Sequence, residues 1–106
     1  MEIKLFKSKK GIFHYGENVL FFSRIPSDAY LISIGNNVTI AAGCEFITHD
    51  IFYNVFNRSS LNINNNKFYP YFNKIEIGND VCIGGWVKIM PGVKVGDNAI
   101  IAGGSV

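Results

Sequence analysis

The stretch IEIGNDVCIGGWVKIMPGVKVGDNAIIAGGSV, residues 75–106, decides the fold. Within it Ile77, Ile83, Ile89, Val95 and Ile101 recur every six residues, and each is aliphatic and β-branched. A second column, Val81, Val87, Val93, Ala99 and Ser105, follows four residues behind in the same register. Gly78, Gly84 and Gly96 come directly after the first column, while Asn79-Asp80, Pro91-Gly92 and Asp97-Asn98 supply turn chemistry between the columns. A helix needs apolar residues three and four apart, and a hairpin needs alternation over longer stretches. Neither fits a period of six. A short strand with one aliphatic pointing inward, then a corner of Gly, Asn or Asp that tolerates positive φ, yields one flat side every six residues. Three sides close a coil, so residues 18 apart stack and the backbone pairs in parallel between coils. The expectation is an all-β chain, a left-handed parallel β-helix of the hexapeptide type with one extruded loop.

Working upstream, the same register appears in Ile34, Ile40 and Phe46, with Gly35 and Ala41 after the first two and Val38 and Cys44 in the second column. From Asp50 to Lys74 the period disappears into Asn, aromatics and a Pro, so residues 50–74 are expected to loop out and return at the same corner. Ile34, Ile77 and Val95 should then share one face, Ile40, Ile83 and Ile101 a second, and Phe46 and Ile89 the third. Before Ile34 the pattern weakens. Val19, Phe21, Ile25 and Leu31 allow an irregular coil, and residues 1–30 are expected to be irregular. At 106 residues the chain fits a single domain, 1–106.

With 48% hydrophobic and 14% aromatic residues the composition is that of a packed domain rather than a disordered one. The net charge of +2 is small. Lys4, Lys7, Lys9 and Lys10 are the one dense basic cluster, and no recognition helix or aromatic platform accompanies them, so nucleic acid is not an expected partner. Two cysteines, Cys44 and Cys82, are too few for a disulfide framework and have no neighbouring thiols for a metal clip. The N-terminus MEIKLFKSKKGIFHYGE is broken by charge and has no signal-peptide core, and no apolar run is long enough to cross a membrane. A cytoplasmic protein is expected.

The segment 75–106, its IGNDV and PGVKVGDNAIIAGGSV motifs, and Thr48-His49-Asp50 just ahead of the loop resemble the hexapeptide-repeat acyltransferases, especially the galactoside, maltose and xenobiotic O-acetyltransferases. The resemblance covers about residues 30–106. It implies a homotrimer with acetyl-CoA in the groove between neighbouring subunits and a small hydroxylated acceptor, such as a saccharide. It also implies a single histidine, here His49, acting as general base. An imidazole is suited to take a proton from a hydroxyl at neutral pH, and direct transfer then depends on alignment and on backbone N–H groups near the developing oxyanion. His14 lies outside every motif and is read as structural.

Carried over motif by motif, the cofactor contacts fall on Cys82, Gly84 and Gly85, and further along the groove on Ala102, Gly103 and Ser105. Repeat geometry by itself also accounts for Gly84. The loop Phe52 to Phe72 is expected to border the acceptor, with Tyr69 and Tyr71 available to stack on a sugar ring, and Asn36 is a candidate acceptor contact at its corner. Trp86 is expected on an exposed side. Two departures stand out. Cys82 occupies a place where relatives usually carry Trp, and the repeats stop at Val106 where relatives continue through another coil, so the C-terminal coil reads as incomplete. The alternative function is therefore a truncated, catalytically impaired relative that keeps the trimeric solenoid. A γ-type carbonic anhydrase needs three histidines on zinc, whereas this chain has two, and no metal is expected.

Overall fold

The structure, a computed structural model, describes residues 14–26 and 28–106. The basic cluster Lys4, Lys7, Lys9 and Lys10 lies outside the described residues. The strands are short: β1 (His14–Tyr15), β2 (Val19–Phe21), β3 (Ile32–Ile34), β4 (Val38–Ile40), β5 (Glu45–Phe46), β6 (Ile75–Ile77), β7 (Val81–Ile83), β8 (Lys88–Ile89), β9 (Lys94–Val95) and β10 (Ile100–Ile101). A 3-10 turn, Ala29–Leu31, precedes β3, and one helix, α1 (Phe52–Arg58), interrupts the strands.

Among the described residues these strands pair in parallel, in three sheets ordered β1-β3-β6-β9, β2-β4-β7-β10 and β5-β8. From β3 onward the chain visits these sheets in rotation. Ile34 pairs with Ile77 and Ile77 with Val95; Ile40 pairs with Ile83 and Ile83 with Ile101; Phe46 pairs with Ile89. This is the register that the six-residue spacing predicts. The alternation within each strand explains the core. In β3, β6 and β7 the outer residues are buried while the central Ser33, Glu76 and Cys82 face solvent, as a period of two demands. Ile32, Ile40, Ile75, Ile83 and Phe21 are completely buried. Phe21 stacks on Phe46 at 5.7 Å between ring centroids, joining two of the sheets from inside.

The first corner after the β3-β6-β9 sheet is closed by a side-chain ladder. Glu17 N–H donates to Asn36 Oδ1 at 2.8 Å, Asn36 N–H to Asn79 Oδ1 at 2.7 Å, and Asn79 N–H to Asp97 Oδ1 at 2.7 Å. The next residue in each case turns into the left-handed region, with φ of 56° at Asn18, 54° at Asn37, 55° at Asp80 and 60° at Asn98. Asn and Asp tolerate this conformation best among residues with a Cβ, and they carry the short acceptor the ladder uses. The ladder satisfies backbone donors that the strands leave unpaired at the bend.

The upstream region is more regular than its sequence suggests. β1 pairs with β3, and β2 pairs with β4 through Val19–Val38 and Phe21–Ile40. Val19 and Phe21 join the core, so the irregular reading of residues 1–30 gives way to two further strands over the part described. The period is hidden because these partners are 19 residues apart, as at the Glu17–Asn36 contact, rather than 18 as at Asn79–Asp97. A single extra residue moves the aliphatics out of a strict six-residue count.

Across the loop the offset becomes 43 residues, as at Asn36–Asn79. The loop leaves and returns at one place: Asn73 N–H donates to Thr48 O at 3.0 Å, and His49 and Phe72 form an isolated antiparallel bridge. Within it the chain forms α1 where the sequence predicts only a loop. Its sequence FYNVFNR has weak helix propensity and its N-cap, Ile51, makes no side-chain cap. Contacts from outside hold it instead. Asn57 Nδ2 donates to Phe68 O at 2.9 Å while Phe68 N–H donates to Asn57 Oδ1 at 2.7 Å, and the Phe56 and Phe68 rings lie 5.4 Å apart. Among the described residues no helix is long and apolar enough to cross a membrane.

Two measurements test this packing. Ile83→Ala removes a completely buried side chain that pairs with Ile40 on one side and Ile101 on the other, and should cost about 2 to 5 kcal/mol in a urea denaturation experiment. Gly84→Ala places a Cβ 2.6 Å from Gly103 N and 3.1 Å from Ile101 O; it should lower the melting temperature through an overpacking cost of about 1 to 3 kcal/mol.

Candidate active site

His49 follows β5 at the base of the loop, where the chain leaves the parallel sheets. The bridge to Phe72 holds its backbone, and the imidazole stacks on the Phe72 ring at 5.2 Å with the planes 27° apart. The adjoining Thr48 is 2% exposed and its carbonyl is held by Asn73. The His49 side chain is 40% exposed. That exposure is uneven, because Nδ1 itself is buried. Nδ1 contributes none of that exposure, which falls on the rest of the side chain.

Asp28 completes the cluster from a distant part of the chain. Its Oδ2 lies 2.8 Å from His49 Nδ1 and accepts a hydrogen bond from Thr48 Oγ1 at 3.2 Å. The carboxylate stands off the ring N–H direction, so the His49 contact is a close electrostatic one rather than an aligned hydrogen bond. On the other side, Asp50 Oδ1 accepts from Phe52 N–H at 3.3 Å and starts α1. Thr48 and His49 thus both meet Asp28 and the returning end of the loop, while Asp50 meets the start of α1. No sequence motif marks Asp28, which sits in a region whose period is shifted.

The loop beyond His49 exposes much apolar surface. Ile51, Phe52, Val55, Leu61 and Ile63 are all more than half exposed. Tyr69 is 76% exposed and borders a shallow hollow of about 470 Å³, with Tyr53, Asn57, Lys67 and Pro70 among its walls. The Tyr71 hydroxyl is engaged locally, accepting from Asn73 Nδ2 at 2.8 Å. Asn36 belongs to a different corner, and its Oδ1 is occupied by Glu17 N–H in the ladder.

The residues expected to contact the acyl donor come together, but not with His49. Cys82 is the exposed central residue of β7, and Gly84 and Gly85 form the corner after it. Ala102, Gly103 and Ser105 form the next corner along, joined to the first by Gly84 N–H to Ile101 O at 2.9 Å and Gly104 N–H to Gly85 O at 2.9 Å. Ser105 Oγ turns back to Ala102 O at 2.7 Å. The smallness of Gly84 is explained by this stacking, since the backbone of Gly103 fills the space a Cβ would take. Trp86 shares the corner and is 76% exposed, as expected from sequence. It holds φ at 59°, an uncommon value for a bulky residue, and its ring covers Gly43, where a Cβ would lie 2.6 Å from the indole. His49 follows β5, whereas this surface follows β7 and β10, so within one chain the two occupy different corners. Among the described residues no group of three His, Cys, Asp or Glu side chains is placed to hold a metal ion.

Comparison with known proteins agrees with these features. Residues 74–106 match the family described as bacterial transferase hexapeptide (six repeats). The chain is 44% identical over 71 residues to Protein CapG of Staphylococcus aureus, covering 67% of this chain and 38% of that protein. It is 33% identical over 103 residues to the galactoside O-acetyltransferase of Escherichia coli K12, covering 89% of this chain and 46% of that enzyme. This similarity extends upstream of residue 30, in keeping with the ordered strands β1 and β2. A putative acetyltransferase of Saccharomyces cerevisiae, YJL218W, is 53% identical over 36 residues, covering 34% of this chain and 18% of that protein. The chain spans less than half the length of the curated relatives it matches. The period-six parallel strands, the matched repeats over residues 74–106 and these relatives together liken the chain to the hexapeptide-repeat acetyltransferases.

Proposed function

We propose that the three parallel sheets are the faces of a left-handed parallel β-helix, and that the chain serves an acetyl-CoA-dependent O-acetyltransferase acting on a saccharide or other small hydroxylated acceptor. The observation that carries this reading is His49: Nδ1 is buried against Asp28, while the side chain as a whole is 40% exposed and stacks on Phe72 of an aromatic-rich loop. In the proposed step, the acceptor oxygen bonds to the thioester carbonyl carbon as its proton passes to Nε2 of His49. The carbon–sulfur bond then breaks, and the thiolate leaves and takes up a proton. No acyl-enzyme is formed. The rate gain comes from alignment and proton transfer.

Cys82, Gly84, Gly85, Ala102, Gly103 and Ser105 are proposed to border the acyl donor. Support comes from the shallow surface they share: Cys82, Ala102 and Gly103 are exposed, and a Cβ at Gly104 would meet nothing within 4 Å. Because this surface and His49 occupy different corners of one chain, the reading requires a second copy to bring them face to face. A homotrimer does so with one kind of interface, and the exposed apolar side chains of the loop are consistent with burial there. Tyr69 and Tyr71 are proposed to border the acceptor. Asn36 is assigned to the corner ladder.

A thiol-release assay with acetyl-CoA and a panel of sugars should show turnover that His49→Ala lowers by about 10² to 10⁴-fold. Neither thiol release nor acetyl-CoA binding by the parent chain would favour instead a relative that keeps the scaffold without the activity. In sedimentation at micromolar concentration the chain should run as a trimer, and a stable monomer would remove the shared site.

A further inference from the structure

Asp28 stands at the head of the 3-10 turn Ala29–Leu31, in the N-cap position. An aspartate there ordinarily turns its carboxylate back onto the free N–H groups of the first turn. Asp28 makes no such bond. Its carboxylate reaches out of its own segment instead, accepting from Thr48 Oγ1 and lying 2.8 Å from His49 Nδ1. With side-chain exposures of 40% at His49 and 21% at Asp28, the contact is less open to solvent than the ion pairs on the strands, such as Lys94–Glu76 at 79% and 49%.

A neutral imidazole carries its proton on one nitrogen, and the partner of each nitrogen decides which. Here Nδ1 is buried and faces a carboxylate, which can only accept. We infer that Asp28 is a positioning residue for His49: it keeps the imidazole proton on Nδ1, leaves the Nε2 lone pair free, and is itself held by Thr48 Oγ1. The catalytic meaning of this role rests on the function proposed above, whereas the tautomer does not. The off-axis approach of Oδ2 in the resting geometry suits such a pair, since catalytic hydrogen bonds often align only once substrate is bound. Phe72 adds the second restraint, limiting tilt of the ring from its stacked face.

The test is a two-bond proton–nitrogen spectrum of the uniformly ¹⁵N-labelled chain, at a pH where the imidazoles are neutral. The chain has two histidines, so His14→Gln assigns the signals. His49 in the wild-type chain should show a protonated Nδ1 and an unprotonated Nε2, and Asp28→Ala should move the proton to Nε2. A wild-type His49 found mainly as the Nε2–H tautomer, or a folded Asp28→Ala that keeps the proton on Nδ1, would overturn the inference. The wild-type spectrum decides even where the variant fails to fold. In the thiol-release assay Asp28→Ala should lower kcat by about 10 to 100-fold and leave KM for acetyl-CoA within about twofold. A purely structural tie would lower the melting temperature and leave the tautomer unchanged. The spectrum needs no turnover, so failure of the proposed activity and failure of this inference are read separately.

Discussion

The constraint on which everything else depends is the parallel hydrogen-bonded contact between strands of two or three residues. Strands this short have no stability of their own, and each persists because the same segment one circuit away presents matching donors, acceptors and aliphatics. Gly35 N–H donates to Ile77 O at 2.8 Å and Gly78 N–H to Val95 O at 2.9 Å, carrying the ladder past the strand ends into the corners. The same closeness dictates composition. At the corner after β7, an added Cβ on Gly84 would meet the Gly103 backbone, so room for a side chain is lost to the stacking itself.

A scaffold held together in this way has little freedom to vary its interior, and its chemistry collects where the repeat is interrupted. The loop after β5 is such a place. Its ends are pinned by Thr48–Asn73 and His49–Phe72, and its body by the reciprocal Asn57–Phe68 bonds. Between these anchors, the loop presents exposed aromatic and apolar side chains, Phe52, Val55, Leu61, Ile63 and Tyr69 among them. His49 lies at the junction, with its backbone in the bridge, its ring against the loop and its buried nitrogen facing a carboxylate from an earlier circuit.

The separation of His49 from the surface around Cys82, Gly84 and Gly103 has a related cause. Corners that follow strands of different sheets lie on different edges of the chain, so a site using both is proposed to be assembled between copies. This geometry gives the exposed loop residues, the open corner and the histidine a common explanation within the proposed trimer.

The sequence by itself determined the register. Ile77 through Ile101 at intervals of six, with Gly, Asn and Asp between them, left one arrangement of inward aliphatics, and the pairs Ile34–Ile77–Val95, Ile40–Ile83–Ile101 and Phe46–Ile89 follow it. Where local chemistry repeats, spacing suffices, because each unit is stabilised by a copy of itself at a constant offset. Only the tertiary structure decided what lies off that period. β1 and β2 are displaced by one residue, α1 is held by contacts with Phe68, and Asn36 is committed to a ladder whose members are 19 and 43 residues away. Asp28 reaches Thr48 and His49 across 20 and more residues, through a carboxylate that any cap could have used locally. Such contacts depend on how circuits stack in space, and no local pattern of residues encodes them.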